Sequence, residues 1–291
     1  MTRFAPSPTG YLHLGHVVNA LYTWGIARGI GGKVILRLED HDQTRFRPPY
    51  EAAILEDLEW LGLIPDQGSF AEFRAGPCQF RQSDREEQYR VLADLLHAQG
   101  LLYACSCSRK DLRSRHPELS GEIPYDGHCR EKSLPLDDNH AWRLQLPTQS
   151  VQFHDLLAGQ QEQTPATQCG DVVIRDRNAN WTYQFAVVAD DIDQGVNLII
   201  RGTDILESTG RQKLIAQALG HELNVCYAHH GLLMGPNGVK LSKKHFDKDI
   251  HQRKLAGETA EEILGEAAQM AGLITHKRPI SVEELPDLVL F

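Results

Sequence analysis

The opening succession of strand, turn, helix, strand and helix constrains this chain more than any other feature. Arg3–Ala5 is a short strand candidate, followed by the turn-rich Pro6-Ser7-Pro8-Thr9-Gly10. From Leu14 to about Gly29, Val17, Leu21, Trp24 and Ala27 recur at helical spacing. Lys33–Glu39 then reads as a strand and Pro49–Leu61 as an amphipathic helix, so the pattern predicts α/β architecture around a parallel sheet. Ser83 and Glu86 have capping-box spacing and predict a helix ending near Gly100. Periodicity then breaks from about residue 104 to 130, where cysteines, Gly121, Pro124 and Gly127 predict an inserted module. Alternation returns in Ala141–Leu146. A second α/β stretch follows, with Val196–Ile200 as strand and Leu206–Leu219 as helix. Thr259 and Glu262 predict a last capped helix with Ile263, Leu264, Ala267, Ala268 and Ala271 on one face.

At 291 residues the chain suggests about two domains and needs no disulfide staples to bury a core. The formal charge of −9 excludes a generally basic protein that coats nucleic acid. It does not exclude a local basic face. Residues 240–254 hold six basic and two acidic side chains, whereas 255–291 hold two basic and seven acidic. No apolar run approaches the ~18 residues of a membrane span, and the N-terminus has no secretory pattern. The expectation is a cytoplasmic protein with no membrane partner. Of its six cysteines, Cys78, Cys169 and Cys226 are expected to be small buried hydrophobes.

Three clusters carry chemistry. His13-Leu14-Gly15-His16 lies between a turn and a helix, where Gly15 permits close backbone approach and free N–H groups favour phosphate. Lys240-Leu241-Ser242-Lys243-Lys244 follows Gly235-Pro236-Asn237-Gly238 and suits a polyphosphate whose charge grows during reaction. Either string alone is weak, but together in an α/β chain they are specific. Cys105, Cys107 and Cys129 supply three ligands for a tetrahedral structural zinc site. Tyr125 and His128 are the fourth-ligand choices, and imidazole leads on ligand chemistry alone. Asp40 and Asp42, like Asp190, Asp191 and Asp193, read as structural or solvated acids rather than metal ligands.

The segment Arg3-Phe4-Ala5-Pro6-Ser7-Pro8-Thr9-Gly10-Tyr11-Leu12-His13-Leu14-Gly15-His16 resembles the opening of the class I aminoacyl-tRNA synthetases of glutamyl type. Arg37–Asp42, Arg201–Thr209 and Lys240–Lys244 resemble that family's later blocks. The resemblance implies a Rossmann-like catalytic domain with an inserted zinc-bearing module and a short helical C-terminal segment. On that reading residues 1–100 and 181–244 are the two catalytic halves, the second ending in the lysine loop. Residues 101–180 are the zinc-binding, acceptor-type module, and 245–291 form the helical segment, with no anticodon-binding domain.

It further implies catalytic roles for His13, Gly15, His16, Lys240 and Lys243, with His13, His16 and Lys243 on ATP. Arg3, Phe4, Ala5, Pro6, Ser7, Glu39, Tyr183 and Arg201 would bind glutamate. Arginines suit its carboxylates, and Glu39 suits its ammonium. The string Tyr125-Asp126-Gly127-His128-Cys129 resembles the short glutamyl-Q branch, in which a tyrosine is the fourth zinc ligand. This favours Tyr125 over His128. Members of that branch esterify glutamate to the queuosine base at the wobble position of tRNA(Asp). The implied partners are L-glutamate, ATP with Mg²⁺ and that tRNA, acting on a monomer with one zinc. A truncated glutamyl-tRNA synthetase charging a tRNA 3′ end, a small-molecule adenylyltransferase and a catalytically inactive RNA-binding copy are the alternatives.

Overall fold

The structure, a computed structural model, describes residues 1–222, 224–232 and 249–289. In chain order its elements begin with β1 (Thr2–Phe4), α1 (Leu14–Gly29), β2 (Val34–Leu36), α2 (Pro48–Trp60), α3 (Phe70–Ala75) and α4 (Glu86–Ala98). A middle group follows: β3 (Leu102–Cys105), α5 (Arg109–Arg115), β4 (Ala141–Leu144), β5 (Val151–Asp155), β6 (Gly159–Gln163), α6 (Pro165–Gln168) and β7 (Val172–Arg175). The remainder is α7 (Tyr183–Asp193), β8 (Leu198–Gly202), α8 (Ser208–Ala218), β9 (Cys226–His230), α9 (Ile250–Leu255), α10 (Ala260–Met270) and α11 (Leu285–Leu288).

β1 and β2 pair in parallel, as do β8 and β9. The Met1 carbonyl accepts from the backbone N–H groups of Asn197 (3.0 Å) and Leu198 (3.1 Å), which sets β1 beside β8. β5 continues from β9, with β6 antiparallel at the far edge. A Rossmann-like α/β architecture follows from these parallel pairs and their helical crossovers. Buried on both sides, β2 is wholly apolar, as a sheet covered on two faces requires.

α1 lies between the sheet and the C-terminal helices. Gly25 makes this crossing possible, because a Cβ there would come within 2.8 Å of the Leu285 carbonyl oxygen. On the sheet side Phe4 meets Trp24 edge-on, with ring centroids 5.4 Å apart. A separate antiparallel sheet, β3-β4-β7, carries the cysteine module. Among the described residues no helix is long and apolar enough to cross a membrane.

Three local expectations fail for physical reasons. Ser83 does not cap α4: it sits within a 3-10 turn, Gln82–Arg85, and its N–H donates to Asp40. Glu86 instead accepts from the Trp181 indole. Ala141–Leu144 is buried throughout rather than alternating, because both faces are covered: Trp142 and Leu144 share a core with Trp181 and Phe185, while Ala141 and Arg143 lie against Tyr125. Of the three cysteines expected inside, Cys169 is buried, Cys78 half-buried and Cys226 exposed at the start of β9. The Thr259–Glu262 capping box of α10 forms with both hydrogen bonds in place.

Candidate active site and metal centre

Beyond β1 and β2 the two chains stay hydrogen-bonded, Arg37 N–H to the Phe4 carbonyl and Glu39 N–H to the Pro6 carbonyl, each at 3.0 Å. The Pro6–Gly10 loop and Glu39 therefore leave the C-terminal edge of the sheet side by side, where open α/β sheets bind ligands. β8 brings Arg201 to the same edge, α7 begins there with Tyr183, and the first turn of α1 adds His16. These elements enclose a cavity of about 460 Å³. Arg3, Ala5, Pro6, Ser7, His16, Glu39, Tyr183 and Arg201 all line it, together with Asn19 and Asp204.

Phe4 is not among the lining residues, since its ring packs into the core at 3% exposure. His13 also lies outside the lining set, and its Nδ1 accepts from the Gly15 N–H at 3.1 Å as the cap of α1. Reciprocally, His16 Nδ1 accepts from the His13 N–H at 3.1 Å, and the two rings lie 3.9 Å apart. A Cβ on Gly15 would come 2.9 Å from the His13 ring, which accounts for glycine there. Lys240 and Lys243 lie outside the described residues.

Under the cavity is a buried charge cluster that joins Arg3, Glu39, Asp190 and Asp191 through Arg37. Arg37 is fully buried and donates from Nη1 to Asp191 at 2.8 Å, with Glu39 and Asp190 at 3.4 and 3.7 Å. Arg3 Nε donates to Asp191 at 3.2 Å. Asp190 also accepts from Arg85, Gln82 and Tyr89. Asp190 and Asp191 are thus structural, while Asp193 is 60% exposed. Burial opposes the Asp191 carboxylate, but Arg3 and Arg37 outweigh it and hold its pKa below the ordinary value. For Glu39 burial wins over the same two arginines and pushes the carboxyl up. An ammonium ligand would relieve that burial cost.

Arg201 is anchored on three atoms. Nε donates to His229 Nε2 (2.8 Å), Nη1 to Gln212 Oε1 (2.7 Å) and Nη2 to Thr209 Oγ1 (2.8 Å). His229, Gln212 and Thr209 were not anticipated. An arginine inside the apolar run Val34–Leu38 was the available clue to the charge cluster, because a guanidinium buried there requires acids nearby.

In the module, the Sγ atoms of Cys105, Cys107 and Cys129 lie within 4.8 Å of one another. Cys107 and Cys129 are 3.6 Å apart, close to the ~3.8 Å that tetrahedral geometry with Zn–S of about 2.3 Å requires. The Tyr125 hydroxyl is 3.2 Å from Cys105 and 3.7 Å from Cys107, so its oxygen lies against the three sulfurs. His128 is exposed, with Nε2 2.7 Å from Lys132 Nζ. Tyr125 is fixed from both sides. Arg143 stacks over its ring at 3.6 Å, and Gly170 lies so close that a Cβ would come 2.1 Å from its carbonyl oxygen. Burial opposes ionisation of Cys129, yet hydrogen bonds from Tyr125, the Ser106 backbone and Cys107 bring its thiol down to about 6. Tyr125 is driven up, first by burial and then by the thiols. The three cysteines could hold a metal ion.

Residues 1–273 match the family described as tRNA synthetases class I (E and Q), catalytic domain. Fold, cavity and family together define a class I synthetase catalytic domain. A glutamyl-Q tRNA(Asp) synthetase from Symbiobacterium thermophilum is 40% identical over 97% of this chain and 90% of its own length. Another with the same description, from Nitratidesulfovibrio vulgaris, is 38% identical over 94% and 86%. The crystal structure of a glutamate tRNA ligase from Elizabethkingia meningosepticum, in complex with its amino acid, superposes with a TM-score of 0.79 at 27% identity. It covers 98% of this chain, which spans only 63% of that ligase. The chain therefore belongs to the class I tRNA synthetases of the E and Q type and, within them, to the glutamyl-Q tRNA(Asp) synthetase family. It is an enzyme of the ligase kind.

Proposed function

We propose that this enzyme activates L-glutamate with ATP and transfers the glutamyl group to the queuosine base of tRNA(Asp). The observation that carries the reading is the convergence of Arg3, Glu39, Tyr183 and Arg201 on one cavity beside the start of α1. Two guanidiniums suit the carboxylates, Glu39 suits the ammonium, and Ser7 and Tyr183 supply hydroxyls that orient the substrate. The glutamate α-carboxylate attacks the ATP α-phosphate, pyrophosphate leaves, and glutamyl-adenylate stays bound. The protein contributes positioning and charge stabilisation rather than a covalent nucleophile. His16 and the N-terminus of α1 face the phosphates, with His13 shaping that terminus as its cap. Lys243, with Lys240 supporting the loop, stabilises charge on the departing pyrophosphate, and Mg²⁺ travels with ATP. In the second step an RNA hydroxyl attacks the adenylate carbonyl, the anhydride C–O bond breaks, and AMP leaves as the ester forms and the hydroxyl proton is lost. The assignment of that hydroxyl to queuosine is supported by the glutamyl-Q tRNA(Asp) synthetase name that the two relatives carry.

The donor set of the module fits zinc, held by Cys105, Cys107, Cys129 and Tyr125. Bound by these residues, a zinc ion would cross-link β3 to the 125–129 loop as a structural site. ATP–pyrophosphate exchange in the absence of tRNA tests the first step. Exchange that depends on glutamate, and not on glutamine or aspartate, is expected. Exchange that fails with glutamate refutes the proposed substrate.

A further inference from the structure

We propose that Asp155 and His229 are positioning residues for Arg201, locking the imidazole tautomer that holds this guanidinium toward the substrate carboxylate. The inference rests on the glutamate reading above, but its structural half can be measured without it.

Asp155 ends β5 and is fully buried. Its Oδ1 accepts three backbone N–H groups, from Leu157 (3.0 Å), Ala158 (2.8 Å) and His229 (3.1 Å). That leaves Oδ2 for His229 Nδ1, at 2.5 Å. A carboxylate at that distance requires Nδ1 to carry the proton. Nε2 is then the lone-pair side, and it accepts from Arg201 Nε, which can only donate. The sheet register makes the contact unavoidable, because Arg201 on β8 pairs directly with His229 on β9.

A guanidinium has five N–H groups. His229, Gln212 and Thr209 engage three of them, on three different nitrogens. One N–H remains on each terminal nitrogen, the pair that a carboxylate takes in a fork. Protonated His229 would lose its acceptor and set one cation against another. Burial, then the Arg201 charge, lowers its pKa to about 4 despite Asp155, and Arg3 acts in the same direction. Tyr227 stacks on the ring and Thr209 Oγ1 lies 3.4 Å from Nε2, and among the described residues Asp155 is the acid that acts on it.

Asp155→Asn is the informative change. The three backbone donors at Oδ1 demand that the amide oxygen stay there, so the amide NH₂ must face His229 Nδ1. That forces the opposite tautomer, with Nε2–H pointing at Arg201 Nε–H. Two donors then oppose each other in a site of nearly unchanged shape. His229→Gln is the rescue variant, since its amide can donate to Asp155 and accept from Arg201, whereas His229→Leu can do neither.

The experiment uses the full chain. Wild type, D155N, H229Q and H229L are compared in glutamate-dependent pyrophosphate exchange, with circular dichroism as a check of folding. ¹⁵N-histidine spectra of the ligand-free protein report the tautomer. In D155N and H229L the glutamate KM should rise about tenfold or more, the scale of a lost charge-assisted hydrogen bond, with the ATP KM within about twofold of wild type. H229Q should stay within about threefold of wild type for glutamate. The wild-type spectrum should show His229 neutral with the proton on Nδ1, and D155N should move it to Nε2. An unchanged glutamate KM in folded D155N would overturn the proposal. So would a wild-type His229 that is protonated on Nε2. Should wild type show no exchange with glutamate, the substrate reading falls. The spectra still decide whether Asp155 sets the face that His229 offers to Arg201.

Discussion

Replacing Asp191 with Asn should cost far more stability than the same change at Asp193, two residues away. Asp191 is 3% exposed and receives Arg37 Nη1 at 2.8 Å and Arg3 Nε at 3.2 Å. Its asparagine counterpart keeps the shape but removes the charge and turns one donor toward a guanidinium. Breaking a buried ion pair from one side costs about 3–5 kcal/mol, because the remaining charge is left buried and uncompensated. Asp193 is 60% exposed and meets Arg85 from the solvent side, so Asp193→Asn should cost roughly 0–1 kcal/mol. Against a total stability of about 5–15 kcal/mol the first loss is large. At about 2–4 °C per kcal/mol it lowers the melting temperature by roughly 6 °C or more. Urea unfolding followed by circular dichroism measures both variants against wild type. If D191N and D193N fall within about 1 kcal/mol of each other, the buried cluster is not what supports Arg3 and the cavity floor.

Two other perturbations address separate parts of the molecule. Purified protein should carry one zinc per chain by elemental analysis; Tyr125→Phe should lower retention under mild chelation, and His128→Ala should leave it unchanged. Loss of zinc from H128A alone would exchange the two assignments. For pH, the folded His229 pKa of about 4 lies below the ordinary ~6.5, so the unfolded chain binds the extra proton. Its contribution is complete above about pH 6.5 and is lost as pH falls toward 4. Asp57, raised to about 6 by burial, works in the opposite sense over the same window. The quantity to measure is therefore the difference in unfolding free energy between wild type and H229Q. It should shrink between pH 7 and 5, and a constant difference would contradict the assignment.

How much of this was legible beforehand follows from the range of the interactions involved. α1, α2, α8 and α10 are set by local periodicity and capping, and the sequence placed them within a few residues. Local patterns failed where a distant partner decided the outcome. Glu86 accepts from Trp181, and β4 is covered on one face by Trp181 and Phe185 and on the other by Tyr125. The cavity residues Arg3, Glu39, Tyr183 and Arg201 were named through motif resemblance, which points to positions but not to their supports. Arg37, Asp191, Asp155 and His229 come from strands and helices far apart in the chain. Only the assembled fold brings them together, so spacing could not reveal them. Residues 240–254 carry a net excess of basic side chains, yet Arg253 is paired with Glu258 and Glu266. The local charge available to RNA is smaller than the count suggested.

The most direct test of the account is aminoacylation with labelled glutamate of tRNA(Asp) purified with and without queuosine. The account predicts label on the queuosine-bearing tRNA alone, retained when its 3′ end is blocked by periodate oxidation after protection of the modified base. Equal labelling of queuosine-free tRNA, lost when the 3′ end is blocked, would make the enzyme a 3′-end glutamylating synthetase and contradict it.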